Sequence, residues 1–189
     1  MRVGVLAIQG DFAAHARAIG RIGANAIEVR RANDLAAMDG VIIPGGETTT
    51  MLKFIEEEVL AAPICDFARS GKPIFGTCAG AILLAQEVYN PAQASLGLID
   101  IAVERNAYGR QLDSFIAEVE TTIEGGPLEA VFIRAPRIRR IGPAVKVIAG
   151  LKDEPVLVRD GNILAATFHP ELTEDVRAHS LFLEMIRCS

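Results

Sequence analysis

Ile74-Phe75-Gly76-Thr77-Cys78-Ala79-Gly80-Ala81-Ile82-Leu83-Leu84-Ala85-Gln86 changes character at its midpoint. Ile74 to Thr77 reads as a buried strand, and Ala79 to Gln86 as the helix behind it. Small residues flank Cys78 on both sides. They suit a sharp strand-to-helix elbow, where a bulkier neighbour would meet the backbone. Working back toward the N-terminus, strands are expected at Arg2 to Gln9, Ala26 to Arg30 and Val41 to Ile43. Helical spacing of Phe12, Ala16 and Ile19 runs until Gly23, a helix starts near Thr49, and Pro63 to Ser70 forms another. Repeated β-α order implies a parallel, doubly wound sheet.

Downstream of the elbow the pattern becomes strand-rich: Ile99 to Glu104, Phe115 to Thr122, Val131 to Ile133 and Val145 to Leu151. Val156 to Arg159 and Ile163 to Phe168 flank Asp160-Gly161-Asn162, a hairpin signal. Thr173 is expected to cap a last helix with Ala178, Leu181, Phe182 and Met185 on one face. No repeat, low-complexity segment or linker interrupts the chain. The expected fold is α/β: one mixed, mostly parallel doubly wound sheet with helices on both faces.

The last buried strand ends at Phe168-His169-Pro170-Glu171. A thiol with an ordinary pKa of ~8.5 is mostly un-ionised at neutral pH, so a nucleophilic cysteine needs a helix N-terminus and an imidazole. Cys78 has the first, and His169 with Glu171 two residues on offers the second together with an orienting carboxylate. Each alone has a bland reading, as a small buried hydrophobe or a polar loop residue. Their joint placement at C-terminal strand ends, where open α/β sheets carry their sites, favours acyl-transfer chemistry.

Bulk properties narrow the classes. The 189 residues suffice for one well-cored unit. They are 50% hydrophobic, with few aromatics and no tryptophan, as suits parallel strands covered on both faces. A net charge of −5 argues against nucleic acid or an anionic membrane as partner. The local run Arg134, Arg137, Arg139 and Arg140 reads as a solvated or partner-facing edge. Cys65, Cys78 and Cys188 form no disulfide or metal framework, and no ligand spacing suggests zinc, so no metal and no cofactor are expected. The apolar stretch Val3 to Ile8 is too short for a signal peptide, and none reaches the ~20 residues of a membrane span. A cytoplasmic location follows as the expectation.

Gly76-Thr77-Cys78-Ala79-Gly80 with His169-Pro170-Glu171 resembles the triad-type (class I) glutamine amidotransferases. Within them the chain is most similar to the glutaminase-subunit family of pyridoxal 5′-phosphate synthase. Further stretches carry this: Leu6 to Asp11, Pro44-Gly45-Gly46-Glu47-Thr48-Thr49-Thr50, Glu104-Arg105-Asn106-Ala107-Tyr108-Gly109-Arg110-Gln111, Phe132-Ile133-Arg134-Ala135-Pro136 and Phe168 to Asp175. Two positions depart from the wider pattern, Ile82 in place of a glutamine and Ala14 in place of a glutamate before His15. The resemblance implies a class I amidotransferase-like, flavodoxin-like fold, with residues 1–189 as one glutaminase domain. It implies Cys78, His169 and Glu171 as catalytic residues, and Gly45, Gly46, Glu47, Arg105, Ile133 and Arg134 at the glutamine site. An oxyanion hole from the N–H groups of Ala79 and Gly46 follows. The implied partners are L-glutamine and a barrel-shaped pyridoxal 5′-phosphate synthase subunit in a large hetero-oligomer. Arg105 and Arg134 are planar donors suited to a carboxylate, Glu47 suits an ammonium, and sequence leaves open which arginine meets the carboxylate.

Two rivals stand beside this reading. Protease-like and deglycase-like cysteine-elbow enzymes share a Pro-Gly-Gly loop but place histidine directly after the cysteine, where this chain has Ala79. A non-catalytic glutamine-binding regulatory subunit would not need an intact Cys-His-Glu set. His15 and His179, the other histidines, read as structural or exposed.

Overall fold

A computed structural model of the chain describes residues 1–105 and 114–189. Its elements run β1 (Arg2–Leu6), α1 (Phe12–Arg21), β2 (Asn25–Val29), α2 (Ala32–Leu35), β3 (Gly40–Ile43), α3 (Thr48–Glu57), α4 (Ala61–Arg69), β4 (Ile74–Thr77) and α5 (Ala79–Leu84). Then follow β5 (Ala85–Tyr89), β6 (Ile99–Glu104), β7 (Ser114–Thr121), β8 (Leu128–Ile133), β9 (Arg137–Ile141), β10 (Lys146–Leu151), β11 (Glu154–Asp160), β12 (Ile163–Ala166) and α6 (Arg177–Arg187). A 3₁₀ turn at Pro170–Leu172 separates the last two. The part of the Glu104 to Gln111 stretch from Asn106 onward lies outside the described residues.

The main sheet has the order β2-β1-β3-β4-β12-β11-β10-β7-β8. From β2 to β12 neighbours are parallel, and from β12 to β8 they are antiparallel. The parallel half needs cover on both faces, and the side chains provide it by alternation. Val41, Ile43 and Ile74 join Met51, Ile55 and Ile64 of α3 and α4 in one cluster. Val3, Val5, Ile42 and Phe75 join Ile19, Ala178 and Phe182 of α1 and α6 in the other. Each such fully buried aliphatic or aromatic side chain contributes about 1.5–3 kcal/mol. Chain connections thus lay helices on both faces, and the loops above the C-terminal strand ends converge over β4.

Three local expectations are corrected. The buried face of α1 is Ala14, His15, Ala18 and Ile19, so Ile19 is buried as expected while Phe12 and Ala16 are only half-buried at its margin. The elbow helix stops at Leu84, because the carbonyls of Leu83 and Leu84 accept from the backbone N–H groups of Leu96 and Leu98 and Ala85 to Tyr89 pairs with β6. Thr173 does not cap α6: its hydroxyl accepts the Asp175 N–H, and the Asp175 carboxylate takes the N–H of Arg177 at 3.0 Å. Arg137, Arg139 and Arg140 of the arginine run lie on β9, at the edge of a second sheet of order β5-β6-β9, while Arg134 precedes it. There Arg139 pairs with Glu104 and Glu154, and Arg140 with Asp100. Its charge is spent locally. Among the described residues, no helix is long and apolar enough to cross a membrane.

Candidate active site

Cys78 sits between β4 and α5 with φ 49° and ψ −105°, left-handed backbone that a non-glycine residue adopts only under constraint. The constraint comes from both neighbouring strands. The Cys78 N–H donates to the carbonyl of Ala166 on β12 at 2.8 Å. A Cβ on Gly80 would collide with the Ile43 carbonyl of β3, and one on Gly76 would sit 2.7 Å from the Gly80 backbone. Small residues at both places let the elbow close. Ala79 is then the first residue of α5, where helix geometry gives its N–H no intrahelical acceptor.

Three residues past β12, the His169 N–H is fixed on the carbonyl of Val131 at 2.8 Å. Its imidazole Nδ1 lies 2.7 Å from Glu171 Oε1. Gly45, leaving β3, packs so tightly on the imidazole that a Cβ would strike His169 Cε1 and come within 3.3 Å of Cys78 Cβ. Burial opposes a charge on His169, but hydrogen bonds to Cys78 and Glu171 outweigh it and raise the imidazole pKa to about 10. The ring is therefore an imidazolium at neutral pH, and the charge it offers is what a thiolate partner requires. Glu171 is held below the usual carboxylate range: burial works against this, and His15 and His169 overcome it.

These groups open into a cavity of about 260 Å³ lined by Gly46, Glu47, Arg105, Ile133, Arg134 and His169, with Cys78 and Ala79 at its floor. Of the residues expected at the glutamine site, five line it directly, and Gly45 lies behind the imidazole. Arg134 carries φ 43°, a second constrained backbone at the same rim. Glu47 does more than face the cavity. Its carboxylate caps α3, accepting from the N–H groups of Thr50 and Thr49 and from the Thr50 hydroxyl, which hold its pKa at about 2. It thus stays anionic across the accessible pH range, with the Arg105 guanidinium 3.9 Å away. A basic and an acidic pole beside a thiol suit a zwitterion with a cleavable neutral carbonyl.

The sequence model of the SNO glutamine amidotransferase family matches residues 5–188. The chain belongs to that family. A relative from Solibacter usitatus, named pyridoxal 5′-phosphate synthase subunit PdxT, is 56% identical over 98% of this chain and 99% of its own. Another of the same name, from Koribacter versatilis, is 52% identical over 99% of this chain and 96% of its own. A solved structure described as a glutamine amidotransferase is similar at a TM-score of 0.92, 48% identity and 98% of each chain.

Sequence reasoning missed what lies behind this cavity. His15 and His179 are both fully buried, and the imidazole of His15 reaches Glu171 Oε2 at 3.3 Å. Its signal was available, since His15 lies one turn before Ile19 on a helix whose next row is Ala14 and Ala18. Burial pushes the His179 pKa down to about 3, with His15 adding to the shift, and burial also lowers His15 against the pull of Glu171.

Unfolded, both rings would take up protons below their usual value of 6.5, while the fold refuses them. Stability therefore falls as pH drops below 6.5, for His179 until about 3, by about 1.4 kcal/mol per pH unit for each such proton. His169 acts with the opposite sign: its contribution is complete below 6.5 and is lost as pH rises through about 10. The thermal midpoint should peak near pH 6–7 and decline on both sides. A midpoint flat from pH 5 to pH 9 would contradict these assignments.

Proposed function

We propose that the protein hydrolyses L-glutamine to L-glutamate and ammonia through a thioester on Cys78, and supplies the ammonia to a separate pyridoxal 5′-phosphate synthase subunit. Glutaminase activity as a subunit of that synthase fits the family and the names of its full-length relatives. The observation that carries the residue-level reading is the 2.7 Å His169–Glu171 contact beside Cys78, at the floor of a cavity with one acidic and two basic side chains on its rim.

Glutamine enters with its α-carboxylate toward Arg105 and Arg134 and its ammonium toward Glu47, leaving the side-chain amide over Cys78. The Cys78 sulfur bonds to the amide carbon, and the oxygen takes the negative charge in reach of the Ala79 and Gly46 N–H groups. As the C–N bond breaks, His169 passes its proton to the departing nitrogen and ammonia leaves. His169, now neutral and still oriented by Glu171, takes a proton from water, whose oxygen attacks the thioester carbon. Glutamate departs and the Cys78–imidazolium pair is restored.

Free ammonia in water is protonated and no longer nucleophilic, so release must be coupled to an acceptor close by. The partner in this reading is a barrel-shaped synthase subunit in a large hetero-oligomer, and docking completes the oxyanion hole. Gly45-Gly46 is the hinge, because glycine peptides reorient an N–H at little steric cost. Adding synthase subunit should raise glutamine turnover well above that of the isolated chain. In Gly46→Ala, whose new Cβ would press Met51 Sδ at 3.2 Å, the stimulation should shrink more than docking weakens. Equal turnover with and without the partner would leave a stand-alone glutaminase.

A further inference from the structure

Behind Glu171, on the side away from the cavity, lies a polar cluster that the thioester chemistry does not use. His15 on α1 and His179 on α6 meet there, both 0% exposed, between Thr77 at the end of β4 and the Glu171 carboxylate. His15 Nδ1 is 3.0 Å from His179 Nε2. His15 Nε2 is 3.2 Å from Thr77 Oγ1 and 3.3 Å from Glu171 Oε2. Phe75 packs edge-on against the His179 ring, with centroids 6.0 Å apart, which helps to fix its plane. Oε1 of Glu171 is taken by His169, while Oε2 and His179 Nδ1 are buried without an aligned hydrogen bond among the described residues.

Only one distribution of protons on two neutral rings suits these contacts. If His179 Nε2–H donates to His15 Nδ1, then His15 Nε2–H lies between Thr77 Oγ1 and the negative Oε2. A single lone pair, on His179 Nδ1, is then unmatched. In the reverse arrangement a buried His179 Nδ1–H has no acceptor, and a His15 lone pair faces a carboxylate oxygen at 3.3 Å. A buried unmatched donor and a lone-pair clash both cost more than one idle lone pair. A cationic His15 would put two imidazolium ions on one carboxylate, with His169 already charged.

We propose that His15 is a positioning residue for glutamine hydrolysis: fixed by His179 as the neutral Nε2–H tautomer, it anchors Glu171 Oε2 so that Oε1 stays on His169. This rests on the reading of Glu171 as the orienter of His169. The contact matters most at the thioester stage. Once His169 has given its Nε2 proton to ammonia, the buried Glu171 anion faces two neutral donors instead of a cation, His169 Nδ1–H at Oε1 and the His15 N–H beside Oε2. Without it the carboxylate is free to turn or to take up a proton, and water is poorly activated. The loss should therefore fall on kcat and spare glutamine binding.

The test uses the full chain assayed with its synthase subunit. His15→Leu should lower kcat about 10- to 100-fold, the size expected when a buried charged oxygen loses the donor beside it, with KM for glutamine unchanged or reduced. His15→Gln should return most of the rate, since its amide can donate to Oε2 and accept from His179. In the wild-type protein labelled with ¹⁵N at its imidazoles, His15 and His179 should both give the Nε2-protonated neutral pattern at pH 7. Full kcat in His15→Leu, a loss confined to KM, or a charged or Nδ1-protonated His15 would each overturn the proposal. Should His15→Leu fail to fold, the tautomer spectra decide. His169→Ala run in parallel separates the two readings: substantial activity there would sink the Cys-His-Glu reading itself, while an inactive His169→Ala beside a fully active His15→Leu would sink only the role of His15.

Discussion

Cys78→Ala should leave no measurable glutamine hydrolysis and an intact fold. Alanine is already the neighbour on one side and takes up less space than cysteine. The Cys78 N–H bond to Ala166 is a backbone bond and survives the change. The thiol is the one group lost, and with it the route to a thioester. Removing a nucleophile from a triad typically costs about 10⁴–10⁶ in rate, the remainder coming from binding and the oxyanion hole. A glutamine-like electrophile should label Cys78 and spare the other two thiols. Burial raises the pKa of Cys65, and Cys188 lies exposed past the end of α6, away from the cavity that would seat the reagent. The same variant should lower the His169 pKa, because the Cys78 bond is among the causes that lift it to about 10. Retention of a substantial rate by Cys78→Ala would end the thioester mechanism.

His169→Ala should be nearly as inactive, and Glu171→Gln severely impaired. The first deletes both the acid that protonates ammonia and the base that activates water. The second keeps the shape but removes the carboxylate charge that, after Cys78, raises the His169 pKa from 2.7 Å away. It also turns an amide toward His15, so one orientation sets N–H against N–H in a buried space. Roughly 10³-fold or more is expected for the histidine, and about 10²–10⁴-fold for the orienting carboxylate. Steady-state rates with the synthase subunit present, beside thermal midpoints, measure both. A Glu171→Gln variant with the full rate would remove the carboxylate from the mechanism.

The parallel half of the fold is legible in the sequence because its signals are local. β-α alternation, glycine stops and the small residues around Cys78 each act within a few positions, and the strand expected at Ile74 to Thr77 has those bounds in the structure. Cys78, His169 and Glu171 are legible for the same reason, each being tied to a strand end. What escapes depends on distant pairing. Ala85 to Tyr89 continues a helical pattern and becomes β5 only because β6 lies alongside. Arg137 to Ile141 looks too charged for a strand until Glu104, Glu154 and Asp100 neutralise it. His15 and His179 are 164 residues apart and look unremarkable singly. Their role depends on α1 and α6 packing on the same face of the sheet, which no local pattern encodes.

The pairing of β4 with β12 sets Thr77 opposite Ala166, so the sulfur-bearing elbow and the imidazole-bearing turn leave neighbouring strands at the same level. Those strands are among the most widely separated neighbours in the chain, with β5 to β11 lying between them in sequence. A chain lacking β12 would therefore carry Cys78 without the His169 imidazole beside it, and also without the Ala166 carbonyl that holds the elbow in place. In the proposed mechanism such a chain should be inactive, so that activity waits on closure of the sheet.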